Sequence, residues 1–266
     1  MSILVRGAAD IGSAVAHRLF CAGYAVMIHD SPWPVTSRRG MAFSDAIFDG
    51  EIVFEGVKAI RIEDLDDLPS LLSAHVVLPV LVSDLAEVIR AAKPDVLVDA
   101  RMRKHNKPEV QLAMATLTIG LGPGFVAGET TDLVVETAWG DDLGKVISVG
   151  AALPLAGEPR SIGGAGRERY VYAPAGGVFR TTREIGERVR AGENVANIDT
   201  CALVAPIDGV LRGLVHDGVP VTAGTKVIEV DPRSSAPVVR GIAERPSRIA
   251  DGVLQAVRHA PLRTER

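Results

Sequence analysis

Residues 2–30 read SILVRGAADIGSAVAHRLFCAGYAVMIHD, and this stretch decides the fold. Ile3, Leu4 and Val5 form an uncharged apolar run, as a parallel strand covered on both faces requires. The turn GAADIG (residues 7–12) follows at once. Ile11, Ala14, Val15 and Leu19 then recur at helical spacing, Gly23 ends the helix, and Ala25 to Ile28 is a second strand closing on Asp30. The order and size are those of a first βαβ unit for dinucleotide binding.

The chemistry expected of this turn is specific. Gly7 lets the chain pass sharply from strand to helix, and Gly12 lets the helix pack closely. The N–H groups from Ile11 onward, at the positive end of the helix, suit a pyrophosphate. Asp30 follows Gly12 at the distance of an acid that accepts ribose hydroxyls. Two residues work against this. Ala9 stands where a middle glycine lets phosphate approach the backbone, and Asp10 either caps the helix or repels an anion. A βαβ unit with an empty turn is the alternative.

The chain has 266 residues, and at about 150 residues per domain it holds about two domains. Its formal net charge of −4 argues against general nucleic-acid binding. Cys21 and Cys201 match no disulfide or metal spacing, so a reducing cytoplasm is expected. There is no signal-peptide pattern and no apolar run near about 18 residues, so no membrane association is expected.

Beyond Asp30, the stretch MAFSDAIFDG (residues 41–50) predicts a short helical piece. Ile52 to Ile62 predicts a hairpin around Gly56. Leu65 to Leu72 is an expected helix interrupted by Pro69, and Val76 to Val82 a strand placed at an edge by Pro79. Ser83-Asp84 caps a helix reaching about Ala92. Asp95 to Asp99 is a buried parallel strand. A helix over Glu109 to Thr116 and a strand over Leu117 to Ile119 lead into the loop GLGPGFVAG (residues 120–128). Leu133 to Thr137 and Val146 to Val149 are further strands. The alternation predicts a Rossmann-like doubly wound parallel sheet over residues 1–165.

The second half changes character. Residues 172–199 align without a gap on residues 204–231 at a shift of 32, with 11 of 28 positions identical, including Gly177/Gly209, Gly186/Gly218 and Gly192/Gly224. Neither half is long enough for a core of its own, so the two are expected to pair as an all-β module over residues 166–232. The pattern is similar to that of biotinyl and lipoyl domains, which have a barrel-sandwich hybrid fold. Those domains carry their cofactor on a lysine between the halves. Here the joint is Thr200-Cys201-Ala202-Leu203, so neither biotin nor lipoate is expected. Residues 233–266 form a basic tail with a short helix on Ile249, Val253, Leu254 and Val257, docked on the body.

Among the candidate site residues, Arg38 and Arg39 follow the second strand where dinucleotide folds often hold a ribose phosphate, the alternative being a solvated loop pair. Gly122 and Gly124 in the 120–128 loop suit an anion at a strand's carboxyl end, or plain turns. Asp99, Arg101, Arg103, Lys104 and Asn106 follow another strand and are rim candidates. Cys201 is a reactive thiol or, the better reading, a buried small hydrophobe. The six histidines show no paired ligand spacing, and no serine elbow or zinc signature is present. No acid–base pair emerges from spacing, so no catalytic residue is assigned.

VRGAADIGSAVAHRL, RRGMAFSDAIFDG with EGVKA, DVLVDARMRKHN, IGLGPGFVAG, LVVETAWGDDLGKVI and APIDGVLRG occur in this order. Together they resemble the YqeB-type accessory proteins of the selenium-dependent molybdenum hydroxylase system, from Leu4 to about Gly252. The resemblance implies a cytoplasmic accessory factor in the maturation of molybdenum hydroxylases related to xanthine dehydrogenase. It departs from the family at Ala9, where the family has glycine, and at Trp139-Gly140-Asp141 and Leu155-Ala156-Gly157, where polar groups are expected. On this reading the first domain binds a nucleotide, NAD(P) or a molybdopterin cytosine dinucleotide, and the β module docks a client molybdenum hydroxylase. A homo-oligomer is left open. The alternative is an NAD(P)-dependent oxidoreductase.

Overall fold

The structure, a computed structural model, describes residues 1–103, 107–155, 157, 159–233 and 239–259. β1 (Ser2–Arg6) leads into α1 (Asp10–Cys21) and β2 (Ala25–His29). One helical turn, α2 (Ala46–Asp49), precedes the hairpin of β3 (Glu51–Phe54) and β4 (Val57–Ile62). Then come α3 (Leu68–Ala74), β5 (Leu78–Leu81), α4 (Leu85–Ala92) and β6 (Val96–Asp99). β7 (Leu117–Leu121), β8 (Val126–Ala127), β9 (Leu133–Val135), β10 (Val146–Ile147) and β11 (Gly150–Ala151) follow with no helix between them among the described residues.

Nine of these strands form one sheet in the order β10-β9-β7-β6-β1-β2-β5-β4-β3. Pairing is parallel from β9 to β4, and only the two edges, β10 and β3, are antiparallel. The protein is therefore mixed α/β around a large, mainly parallel sheet. Strand side chains alternate between two cores. Ile3, Val5, Val26, Ile28, Val96 and Val98 face one core, which holds α1. Leu4, Met27 and Leu97 face the other, against Leu68 of α3 and Val88 of α4.

A second, all-β part comprises β12 (Tyr170–Tyr172), β13 (Gly177–Arg180), β14 (Arg188–Val189), β15 (Asn194–Ile198), β16 (Cys201–Val204), β17 (Gly209–Leu214), β18 (Pro220–Val221) and β19 (Lys226–Asp231). Its two sheets run β12-β19-β17-β14 and β16-β15-β13-β18. The 32-residue shift carries β12, β13, β14 and β15 onto β16, β17, β18 and β19, and thereby turns one sheet into the other. Phe179, Val195, Leu211 and Val227 are in the core they share.

The chain then returns to the first part. α5 (Glu244–His259) lies along α1, and Ile249, Val253, Leu254 and Val257 enter the same core as Ile3 and Val5. The expected helix is thus in place, packed into the core of the parallel-sheet part. Gly252 permits a close approach of α5 to the β9–β10 turn, because a β-carbon there would come within 2.0 Å of the Gly144 carbonyl oxygen. No helix among the described residues is long and apolar enough to cross a membrane.

Four local expectations need correction. Pro69 does not interrupt a helix; it lies in the first turn of α3, where a missing N–H is tolerated. Pro79 does not mark an edge, since β5 lies between β2 and β4. Its ladder to β2 begins only at Val80, so no ladder pair faces the proline from that side. Residues 109–116 form turns, not a helix. The Gln111 N–H is drawn outward to the Thr130 carbonyl at 2.7 Å, and its side chain to Asp99. Cys201 is exposed, not buried: it opens an edge strand in which only Leu203 turns inward.

Candidate functional site

β1 ends beside β6, and the strand order reverses there, so the 7–12 turn opens into the crevice between their carboxyl ends. Gly7 has φ +110, and a β-carbon on it would come within 3.1 Å of the Ala100 carbonyl and the Arg101 nitrogen. A β-carbon on Gly12 would lie 1.9 Å from the Gly7 oxygen. Ser13, which sequence reasoning missed, is fully buried and locks this geometry. Its hydroxyl donates to the Ala8 carbonyl at 2.8 Å and accepts from the Phe43 N–H at 2.8 Å.

The expected ligand groups are partly committed to protein. The Asp30 carboxylate accepts the Ala8 N–H and the Ser31 N–H, both at 2.7 Å, so it braces the turn from the end of β2. Ala9 is the N-cap of α1 in an extended conformation and has no side-chain cap bond. Asp10 opens the helix. It accepts from the Ile11 N–H at 3.1 Å with one oxygen and from Arg38 Nη1 at 3.2 Å with the other. Arg38 thereby cancels the negative charge at the mouth of the turn. Arg39 goes elsewhere, donating to the Leu214 carbonyl at 2.9 Å and to Asp45 at 2.8 Å, which pins the segment to β17.

Behind Arg38 lies an ionic cluster that the sequence did not reveal. Glu229 on β19 is fully buried and accepts Arg38 Nε at 3.1 Å and Nη2 at 3.2 Å. It also accepts Lys226 Nζ at 2.9 Å and Arg169 Nη1, with Arg212 Nε at 3.4 Å. Burial alone would raise this carboxyl, but Arg38 and Lys226 outweigh it and hold Glu229 well below the usual carboxylate range. Burial pushes Lys226 below its ordinary value, with Glu229 only partly offsetting it. Lys226 Nζ lies 4.5 Å from the centre of the Tyr170 ring, with the Arg169 guanidinium at 4.2 Å. The one sequence signal was in the repeat, where Lys226 and Glu229 align with Asn194 and Asn197, charges replacing amides.

A second ionic group lies on the other side of the turn. Asp99, 1% exposed at the end of β6, accepts from Arg101 and from Gln111 Nε2 at 2.6 Å. Burial opposes its ionisation, yet Arg101 and Arg6 hold Asp99 below its ordinary range. Arg6 bonds Glu109 at 2.8 Å, and Arg103 pairs with the same carboxylate. Asp99, Arg101 and Arg103 thus meet, joined by the unforeseen Arg6, Glu109 and Gln111. Lys104 and Asn106 lie outside the described residues.

The glycine-rich loop serves packing. The Gly122 N–H donates to the Val135 carbonyl at 3.0 Å, and a β-carbon on Gly122 would lie 2.4 Å from Thr137 Oγ1. A β-carbon on Gly124 would lie 3.0 Å from Pro108. Glu136 gathers the N–H groups of Thr137, Ala138 and Leu153, each at 2.7 Å, and Arg245 of α5 donates to the Thr137 carbonyl at 2.7 Å. Trp139 is partly exposed under the Arg160 guanidinium, 4.4 Å away, and Leu155 is exposed; Ala156 lies outside the described residues.

No family model matches the chain. It is 36% identical over 255 residues to the uncharacterized protein YqeB of Escherichia coli (strain K12), a match covering 96% of this chain and 47% of that protein. Two solved structures show a weak likeness. One is a succinylglutamatedesuccinylase/aspartoacylase from Rhodobacter sphaeroides, at 20% identity and TM-score 0.23 over 63% of each chain. The other is the ectoine utilization protein EutE (DoeB) from Ruegeria pomeroyi, at 11% identity and TM-score 0.26 over 86% of this chain and 84% of that one. At such scores the structural likeness carries no argument. The sequence likeness runs along almost the whole chain, which is a YqeB-type protein spanning about half the length of the curated relative it matches.

Proposed function

We propose that the chain is an accessory factor in the maturation of molybdenum hydroxylases related to xanthine dehydrogenase, and that it binds a phosphate-bearing nucleotide over the Gly7–Gly12 turn. The observation that carries the nucleotide reading is the position of that turn. The strands β5-β2-β1-β6-β7-β9 follow the order of a Rossmann-like dinucleotide fold, and the turn leaves β1 where the order reverses. The positive end of α1 opens at the turn, and Arg38 pairs with Asp10, whose charge would repel a phosphate. NAD(P) and a molybdopterin cytosine dinucleotide are the candidate ligands.

The molybdenum and selenium connection rests on the YqeB-type resemblance, as does a cytoplasmic location. The two repeat-related sheets support a barrel-sandwich hybrid whose role is to dock the client enzyme. The turn between β15 and β16, at Asp199 and Thr200, offers no lysine for biotin or lipoate. The test is isothermal titration with NAD, NADP, CTP and molybdopterin cytosine dinucleotide. One of them should bind wild type, Ala9→Gly should bind it more tightly, and Ala9→Leu should lose it. Failure of all four to bind wild type overturns the nucleotide reading. A second reading, an NAD(P)-dependent oxidoreductase, draws on Asp30 beside the turn; turnover of NADH or NADPH with a carbonyl substrate would establish it.

A further inference from the structure

We propose that Lys226 and Arg38 form a phosphate site where β19 meets the start of α1, built largely by the all-β part and independent of any nucleoside. The argument begins with charge. Arg38, Arg169, Arg212 and Lys226 all face one carboxylate, Glu229, within 3.4 Å. Asp10 takes one edge of Arg38. The neighbouring Asp231 takes Arg233 at 2.6 Å and Arg212 Nη1 at 3.5 Å. Five cations, Arg233 included, against Glu229, Asp231 and Asp10 leave a surplus of two positive charges, which suits a dianionic phosphate monoester. A buried surplus of this kind is unfavourable unless an anion completes it.

Donors remain for that anion. An ammonium has three N–H groups, and Lys226 places one on Glu229. The Nη1 and Nη2 atoms of Arg38 each carry two hydrogens and each make one protein bond. These two side chains are the accessible members of the cluster, 30% and 25% exposed, whereas Arg169 and Glu229 are buried. A second observation agrees: Arg169 is 2% exposed, and its Nε has no hydrogen-bond partner among the described residues. Burial first, and then the neighbouring Arg38, hold the Lys226 ammonium below its ordinary range. The α1 N-terminus, which begins at Asp10, adds its positive end to the same side.

The site goes beyond the nucleotide reading, so its probe is inorganic phosphate, and a result with nucleotides does not decide it. Isothermal titration of the full chain at constant ionic strength should show phosphate binding. Lys226→Gln should weaken it by about tenfold or more, the worth of a charge-assisted hydrogen bond, and Lys226→Arg should restore it to within about threefold. A measurement on wild type guards against a variant that misfolds: phosphate should protect Lys226 from acylation by acetic anhydride, read by peptide mass. No phosphate uptake by wild type, equal affinity in Lys226→Gln, or no protection of Lys226 would each overturn the proposal.

Discussion

Arg38 grips Glu229 with a two-pronged fork, Nε at 3.1 Å and Nη2 at 3.2 Å, across 191 positions of the chain. Its third nitrogen holds Asp10 at the start of α1. One side chain therefore ties the glycine turn of the parallel-sheet part to the last strand of the all-β part. Arginine does this where lysine cannot, because its planar fork serves two carboxylates at fixed angles.

The first consequence is for stability. Glu229→Leu removes the carboxylate that Arg38, Arg169, Arg212 and Lys226 share, leaving only Asp10 for Arg38 and Asp231 for Arg212. Removing one partner of a buried ionic group costs about 3–5 kcal/mol. The urea midpoint should fall accordingly, and an unchanged midpoint would show that water already screens the cluster.

Acid should act through the same residue. The folded-state pKa values of Glu229 and Asp99 lie below their ordinary 4.5 and 3.8. The unfolded chain therefore binds more protons as the pH falls, and stability rises with pH in that window. The contribution is fully present above about pH 5 and is lost as the pH drops through the folded values. Urea titrations between about pH 3 and 6 should show this slope, and Glu229→Gln should flatten it.

Asp30→Ala tests how the turn is built. A pure ribose acceptor would matter only to ligands with a free 2′-hydroxyl. Because Asp30 also holds the Ala8 and Ser31 N–H groups, its loss should lower stability by about 1–2 kcal/mol. Affinity for NAD and NADP should fall together. Loss of NAD binding alone, with unchanged melting, would contradict the bracing role.

Ile249→Ala addresses the return of the chain. Ile249 is fully buried in the core that α1 and β1 share. The cavity should destabilise the first domain by about 2–5 kcal/mol. A helix merely docked on the surface would lose far less, and thermal melting separates the two.

Residues 2–30 determined the βαβ unit by themselves, because burial on both faces, a tight glycine turn and a helical repeat are local demands that few other structures satisfy. The 32-residue repeat likewise determined the paired β sheets, since halves that share their turn glycines and apolar positions fold into similar units. Only the tertiary structure decided the fate of the charges. Asp10, Arg38 and Glu229 carry no spacing that links them, and their meeting depends on where β19 lands against α1. It also decided that the helix of residues 244–259 completes the first core and that the glycines of the 120–128 loop make room for Thr137 and Pro108. Those outcomes are set by long-range packing, in which a side chain's role depends on neighbours that sequence distance does not encode.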